Sequence, residues 1–124
     1  MIARFFLVCL GGALGSGARY AVSVWAASAF GTGFPFGTLI VNVVGSFLLG
    51  FLMQVPPLSP DVRLMLTTGV MGGFTTYSAF NYETVEYFRA GAWTVGFVNV
   101  AVMLIGCLAA SLAGLALARL MFGR

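Results

Sequence analysis

The chain of 124 residues contains no lysine and no histidine, and only 7% of its residues are charged. A soluble domain carries about 25% charged residues, so this protein has too little polar side chain to cover itself against water. The absence of histidine removes the commonest general base and metal ligand. No cluster of metal-ligating residues and no nucleophile beside a base can be assembled from what remains, which argues against an enzyme. Two cysteines, Cys9 and Cys107, stand far apart inside apolar runs, where a thiol behaves as a small hydrophobe. The six arginines are scattered singly, so no basic patch for nucleic acid forms.

What is present is hydrocarbon. Hydrophobic residues make up 60% of the chain and the mean hydropathy is +1.04. A spanning helix needs about 20 apolar residues, so the length accommodates roughly four spans in one transmembrane domain over residues 1–124. The spans are expected at 4–29, 35–55, 60–89 and 93–119. The N-terminal stretch MIARFFLVCLGGALGSGA imitates a secretory signal, with a basic start, an apolar middle and a small-residue end. It is read here as the first span. GTGFPFG (Gly31–Gly37) is turn chemistry, Pro35 suits the first turn of the second helix, and Pro56-Pro57 ends that helix. Ser59-Pro60-Asp61 opens the third: a capping hydroxyl, a proline at the first position and an acid at the positive helix end. Arg119 and Arg124 trail the fourth.

Small residues recur at four-residue spacing, at Gly11 and Gly15 and again at Gly106, Ala110, Gly114 and Ala118. Such faces let helices approach closely in lipid. Packing within one subunit is the favoured use, over a seam between copies. Four short helices enclose little of a solute pathway alone, which points to an oligomer.

Three groups of polar residues break the apolar pattern. On the second helix Thr38, Asn42 and Ser46 follow at i, i+4 and i+8 and so form one stripe. It serves either as interhelical hydrogen bonding, at about 0.6 kcal/mol per contact, or as a line of donors along a hydrated path. On the third, Gly72-Gly73 followed by Thr75-Thr76 favours a break near 72–76. A break inside a membrane is tolerated only where protein or water covers the freed backbone. Its carbonyls suit a cation and the new helix N-terminus suits an anion. Beyond it, Tyr77 and Phe80 share a face and can turn positive ring edges to an anion. Ser78 and Asn81 do likewise with polar groups. Glu83 is the one carboxylate placed away from water, with Arg19 as its candidate partner; an acid in a membrane marks a functional site. Glu86 and Arg89 read as an exposed i, i+3 pair.

GGALGSGARY (Gly11–Tyr20), GTLIVNVVGSFLLG (Gly37–Gly50) and GVMGGFTTYSAFNYET (Gly69–Thr84) together resemble the signatures of the Fluc family of fluoride channels, also called CrcB. Order, spacing and length match over nearly the whole chain. The resemblance implies an all-α integral membrane protein of the bacterial inner membrane. Its four-helix subunits, with the third helix broken, pair antiparallel in a dual-topology homodimer with two fluoride pores, which let fluoride leak from the cytoplasm. It further implies a structural sodium ion at the dimer centre, held by backbone carbonyls at Gly72 and Thr75. The pore would comprise Asn42, Thr38, Tyr77, Phe80, Ser78, Asn81 and Glu83, with Arg19 at the vestibule. Three positions depart from the family pattern: Tyr77 replaces a pore phenylalanine, Ala79 lacks a hydroxyl, and Asn99 stands where some relatives have tyrosine. The rival reading from the residues is a small proton-coupled multidrug-type exporter using Glu83, and a non-transport alternative is an assembly subunit of a larger complex.

Orientation is weakly coded. The side bearing both termini would carry Arg4, Arg63, Arg119 and Arg124, against Arg19 and Arg89 on the other. So slight a bias predicts insertion both ways. Reporters fused to the C-terminus, each active on one side of the membrane only, should both give signal; a one-sided signal would refute dual topology.

Overall fold

The computed structural model describes residues 1–56 and 58–123, and these contain helices and no strands. Helix α1 (Ile2–Phe30) runs until Gly31, whose φ of 77° lies in the left-handed region that glycine tolerates. Helix α2 (Phe36–Leu52) starts one residue after Pro35 and ends before Pro56; the other member of the expected proline stop, Pro57, lies outside the described residues, as does Arg124. The end of α2 is held by Arg63. Its guanidinium donates to the carbonyls of Leu52 at 3.2 Å, Met53 at 2.9 Å and Val55 at 2.7 Å. A cation on the last carbonyls of a helix satisfies acceptors left without partners and complements the dipole. From sequence this residue counted only as a charge for orientation.

The third span is built from four pieces. Helix α3 (Pro60–Leu64) has the expected start: Ser59 Oγ accepts from the Val62 amide at 3.3 Å, Pro60 opens the helix and Asp61 sits in its first turn. Asp61 also pairs with Arg4 at 2.7 Å, tying α1 to this end. A π-helical segment follows (Met65–Met71), containing Thr67, Thr68 and Gly69, all poor helix formers. The Thr67 hydroxyl donates to the Arg63 carbonyl at 2.9 Å, which competes with the regular ladder there. Helix α4 (Gly72–Phe74) is short, Thr75 and Thr76 are extended, and α5 (Tyr77–Arg89) resumes. Helix α6 (Trp93–Phe122) ends at Gly123, a left-handed cap with φ 68°. Helices α1 and α6 are long and apolar enough to cross a membrane, and α2 is a shorter apolar helix. Their outer faces expose Phe5, Leu10, Leu14, Ile105, Leu108 and Leu112, a surface suited to hydrocarbon and not to water.

The interruption therefore falls at Thr75-Thr76, within the expected window but not at the glycine pair. Gly72 and Gly73 are helical. Gly73 is glycine for another reason: a Cβ there would stand 2.5 Å from the Gly12 carbonyl oxygen of α1. Helix α1 lies along the π-helical segment and α4, and α2 lies along α6. The small-residue faces serve these contacts. A Cβ on Gly11 would come within 2.6 Å of the Met65 carbonyl, one on Gly15 would strike the Val70 carbonyl, and one on Gly114 the Phe47 carbonyl. Gly11, Gly15 and Gly114 are thus packing positions within the subunit.

Adding one methyl at either close crossing should destabilise the fold. Gly11→Ala and Gly15→Ala are each expected to lower stability by about 1–3 kcal/mol through overpacking. Gly106→Ala meets only a Val43 methyl carbon at 3.4 Å and should stay within about 0.5 kcal/mol of the parent. Unfolding midpoints of the three variants in detergent test the contrast.

Candidate functional site

Where the third span leaves the helix, the Asn42 side chain engages both backbone groups of Thr76. Its Oδ1 accepts from the Thr76 amide at 2.7 Å, and its Nδ2 donates to the Thr76 carbonyl at 3.0 Å. One amide side chain thereby satisfies the N–H and the C=O of one buried residue, as a buried backbone requires. The second N–H of Nδ2 points to the Met103 sulfur at 3.5 Å, a weak acceptor. Thr76 also caps α5, its Oγ1 accepting from the Ala79 amide at 3.2 Å and lying 3.3 Å from Ser78 Oγ. Thr76 was named from sequence only as part of the break, and Met103 not at all. A threonine just before a helix is an ordinary capping signal, whereas the Asn42–Met103 contact joins α2 to α6 and leaves no local trace.

The same bonds free two carbonyls. In a continuous helix Gly72 O would accept from the Thr76 amide and Thr75 O from the Ala79 amide. Those amides bond instead to Asn42 Oδ1 and Thr76 Oγ1. Gly72 is exposed and Thr75 half-buried. Hard oxygen donors of this kind match the chemistry of an alkali or alkaline-earth cation.

Three voids follow one another beside α2. The first, of about 460 Å³, is a groove lined by Asn42, Ser46, Gly72, Thr75, Tyr77, Phe80 and Met103, among others. Tyr77 and Phe80 meet there with ring centroids 5.7 Å apart at 57°, Phe80 only 4% exposed and Tyr77 70% exposed. The second void, of about 370 Å³, is lined by Ser16, Arg19, Tyr20, Ser23, Thr38, Thr76, Ala79 and Glu83. The third, of about 550 Å³, shares Ser23, Thr38 and Glu83 and adds Glu86, Tyr82 and Tyr87 near the α1–α2 loop, where Tyr87 Oη donates to the Gly33 carbonyl at 3.1 Å. The Asn42–Thr76 bonds stand between the first and second voids. The Thr38–Glu83 bond, donated by Thr38 Oγ1 to Glu83 Oε1 at 2.5 Å, stands between the second and third. The i, i+4 stripe of α2 thus supplies one side of each divider.

Not every candidate is gathered here. Arg19 lines the second void with Glu83, but no ion pair joins them among the described residues. Thr38 bonds to the carboxylate in its place, and Glu83 Oε2 is buried with no partner among the described residues. Ser78 and Asn81 are exposed on α5 and line none of the three voids. Ser46 lines the groove, and its carbonyl accepts from Ser111 Oγ of α6 at 3.3 Å. Glu86 and Arg89 form the expected exposed pair, at 2.7 Å. Asn99 is fully buried and donates through Nδ2 to Thr84 Oγ1 at 3.0 Å.

The family model described as CrcB-like protein, Camphor Resistance (CrcB), matches residues 6–115. The chain belongs to the CrcB family. It is 53% identical to a fluoride-specific ion channel FluC of Anaeromyxobacter dehalogenans, over 98% of this chain and all of that protein. It is 50% identical to the one of Sorangium cellulosum over 94% of each, and 44% identical to that of Clostridium perfringens over 94% of each. The resemblance carried by the three motifs is therefore borne out, and the CrcB chain belongs to a family of channels, not enzymes.

The clasp makes a direct prediction about folding. Asn42→Leu keeps the branched shape but takes the side-chain partner from the Thr76 N–H and C=O, at about 1–3 kcal/mol for each group left unpaired. The expected result is a lower unfolding midpoint and faster amide exchange at 74–78, read by hydrogen-exchange mass spectrometry. Unchanged exchange would show that Thr76 has another partner.

Proposed function

We propose that this CrcB chain is a fluoride-selective channel of the bacterial inner membrane, passively releasing fluoride from the cytoplasm. Two copies would pair antiparallel, in dual topology, to form two pores. The observation that carries the reading is the run of three voids separated only by neutral or carboxylate hydrogen bonds. Among the described residues no arginine takes part in either divider bond. A channel must bind its ion firmly enough to admit it and loosely enough to release it.

Each divider suits that balance. Fluoride is small and tightly hydrated, so donors must replace its water. The Asn42 N–H resting on the Met103 thioether is the one most readily yielded to an anion, because sulfur holds it weakly. Tyr77 and Phe80 add ring edges in the same groove. At the second divider the Thr38 hydroxyl is the donor, and fluoride competes with Glu83 for it. Arg19 lines the void between the two dividers, where it would raise the local anion concentration without forming either divider bond. Ser78 and Asn81 face outward, so their place in a pore depends on a wall supplied by the second copy. A second copy would likewise complete the cation site: Gly72 and Thr75 carbonyls would hold a structural sodium ion, which would join the two subunits at the break.

The proton-coupled exporter reading of Glu83 finds no support in the family, whose relatives above are fluoride-specific channels. Nor does anything favour an assembly subunit.

Purified protein in liposomes should release fluoride, detected by electrode, rapidly and without dependence on a proton gradient, while chloride stays inside. Equal chloride flux, or no fluoride flux, would defeat the assignment. Phe80→Ile and Asn42→Ala should each slow fluoride by about tenfold or more, the equivalent of one ~1.4 kcal/mol interaction. Wild-type flux in an assembled variant would remove that residue from the path.

A further inference from the structure

Helix α6 turns Gly96, Asn99 and Met103 inward at helical spacing, and all three are buried. Met103 holds the spare Asn42 N–H. Asn99, one turn earlier, is 0% exposed and does not itself line the groove. Its Nδ2 donates to Thr84 Oγ1 at 3.0 Å, and Thr84 Oγ1 donates to the Phe80 carbonyl at 2.7 Å. We propose that Asn99 is a positioning residue for conduction: through Thr84 it sets the turn of α5 that presents Phe80 to the groove. The proposal rests on the fluoride-channel reading for its functional half.

Three physical points support it. A helical threonine divides between two side-chain rotamers, and the one that bonds back to the i−4 carbonyl bends the helix. A donor on Oγ1 from a neighbouring helix selects that rotamer and so selects the bend at Phe80. The amide is also poorly suited to a purely structural task. Asn99 Oδ1 is buried with no partner among the described residues, and a half-satisfied amide is costlier to bury than an apolar side chain of similar shape. Finally, the reach depends on close helices. A Cβ on Gly96 would strike the Phe88 ring, so glycine there lets α6 lie against α5 and Asn99 meet Thr84.

The test combines Asn99→Leu, Thr84→Val, the double variant and Thr84→Ser. Three readouts are taken: fluoride efflux from liposomes, unfolding midpoint, and hydrogen exchange over 77–89. Asn99→Leu should slow fluoride by about threefold, the size of one interhelical hydrogen bond in a membrane, while its midpoint holds or rises and exchange at 80–84 quickens. The double variant should be no slower than the slower single one, and Thr84→Ser should conduct like the parent. Parent-like efflux in Asn99→Leu, additive losses, or a midpoint that falls in step with efflux would overturn the proposal. If the parent protein moves no fluoride, the channel reading fails on its own. The exchange data then decide the clamp, and an unaltered 80–84 segment rejects it.

Discussion

A peptide group that leaves a helix in an apolar environment must find new partners or the helix will not break. In this protein the partner is a single side chain. Asn42 offers one donor and one acceptor in the spacing of a peptide, and Thr76 takes both. Everything distinctive about the third span follows from that exchange. With its ladder contacts replaced, Thr76 can be extended, its hydroxyl can cap α5, and the carbonyls of Gly72 and Thr75 are left without their helical donors. The same asparagine has one N–H left over, directed at a sulfur that holds it loosely. The interaction that permits the break therefore also supplies the most available donor in the groove.

The scaffold exists to hold that clasp in register. Arg63 closes the end of α2, Asp61 with Arg4 joins α3 to α1, and glycines let α1 press against the π-helical segment. Arg4, Asp61 and Arg63 are thus spent at element ends, and the interior divider bonds are left to hydroxyl, amide and the Glu83 carboxylate. This division of labour is what an anion conduit requires, since a fixed cation at a constriction would trap the ion it attracts. Helix α6 contributes from the far side with Met103 on Asn42 and Asn99 on Thr84. The groove is in this way held between two helices that are not adjacent in sequence.

Much of this was readable residue by residue. The scarcity of charge excluded a soluble domain, the 59–61 trio marked the start of α3, and the i, i+4 relation of Thr38 and Asn42 identified the stripe that contributes to both dividers. Three motifs in order, between Gly11 and Thr84, sufficed for the family, whose model matches residues 6–115. Other readings failed for identifiable reasons. The glycine pair was given a share in the break at 72–76 because glycine weakens helices, yet Gly73 serves close approach to Gly12 of α1, 61 residues earlier in the chain, which no local rule can see. Arg19 was matched to Glu83 by opposite charge alone, whereas the carboxylate is bonded to a hydroxyl brought in by a third helix.

Sequence by itself determined the helical, apolar character of the chain, the family and the existence of an interruption, since each rests on composition, on motifs or on short-range periodicity. Only the tertiary structure decided where the chain leaves the helix, which partner each freed group takes, and that Asn99 lies buried against Thr84. The reason is that a hydrogen bond inside an apolar bundle is chosen by whichever group the packing brings within about 3 Å, and packing joins residues whose separation along the chain carries no signal.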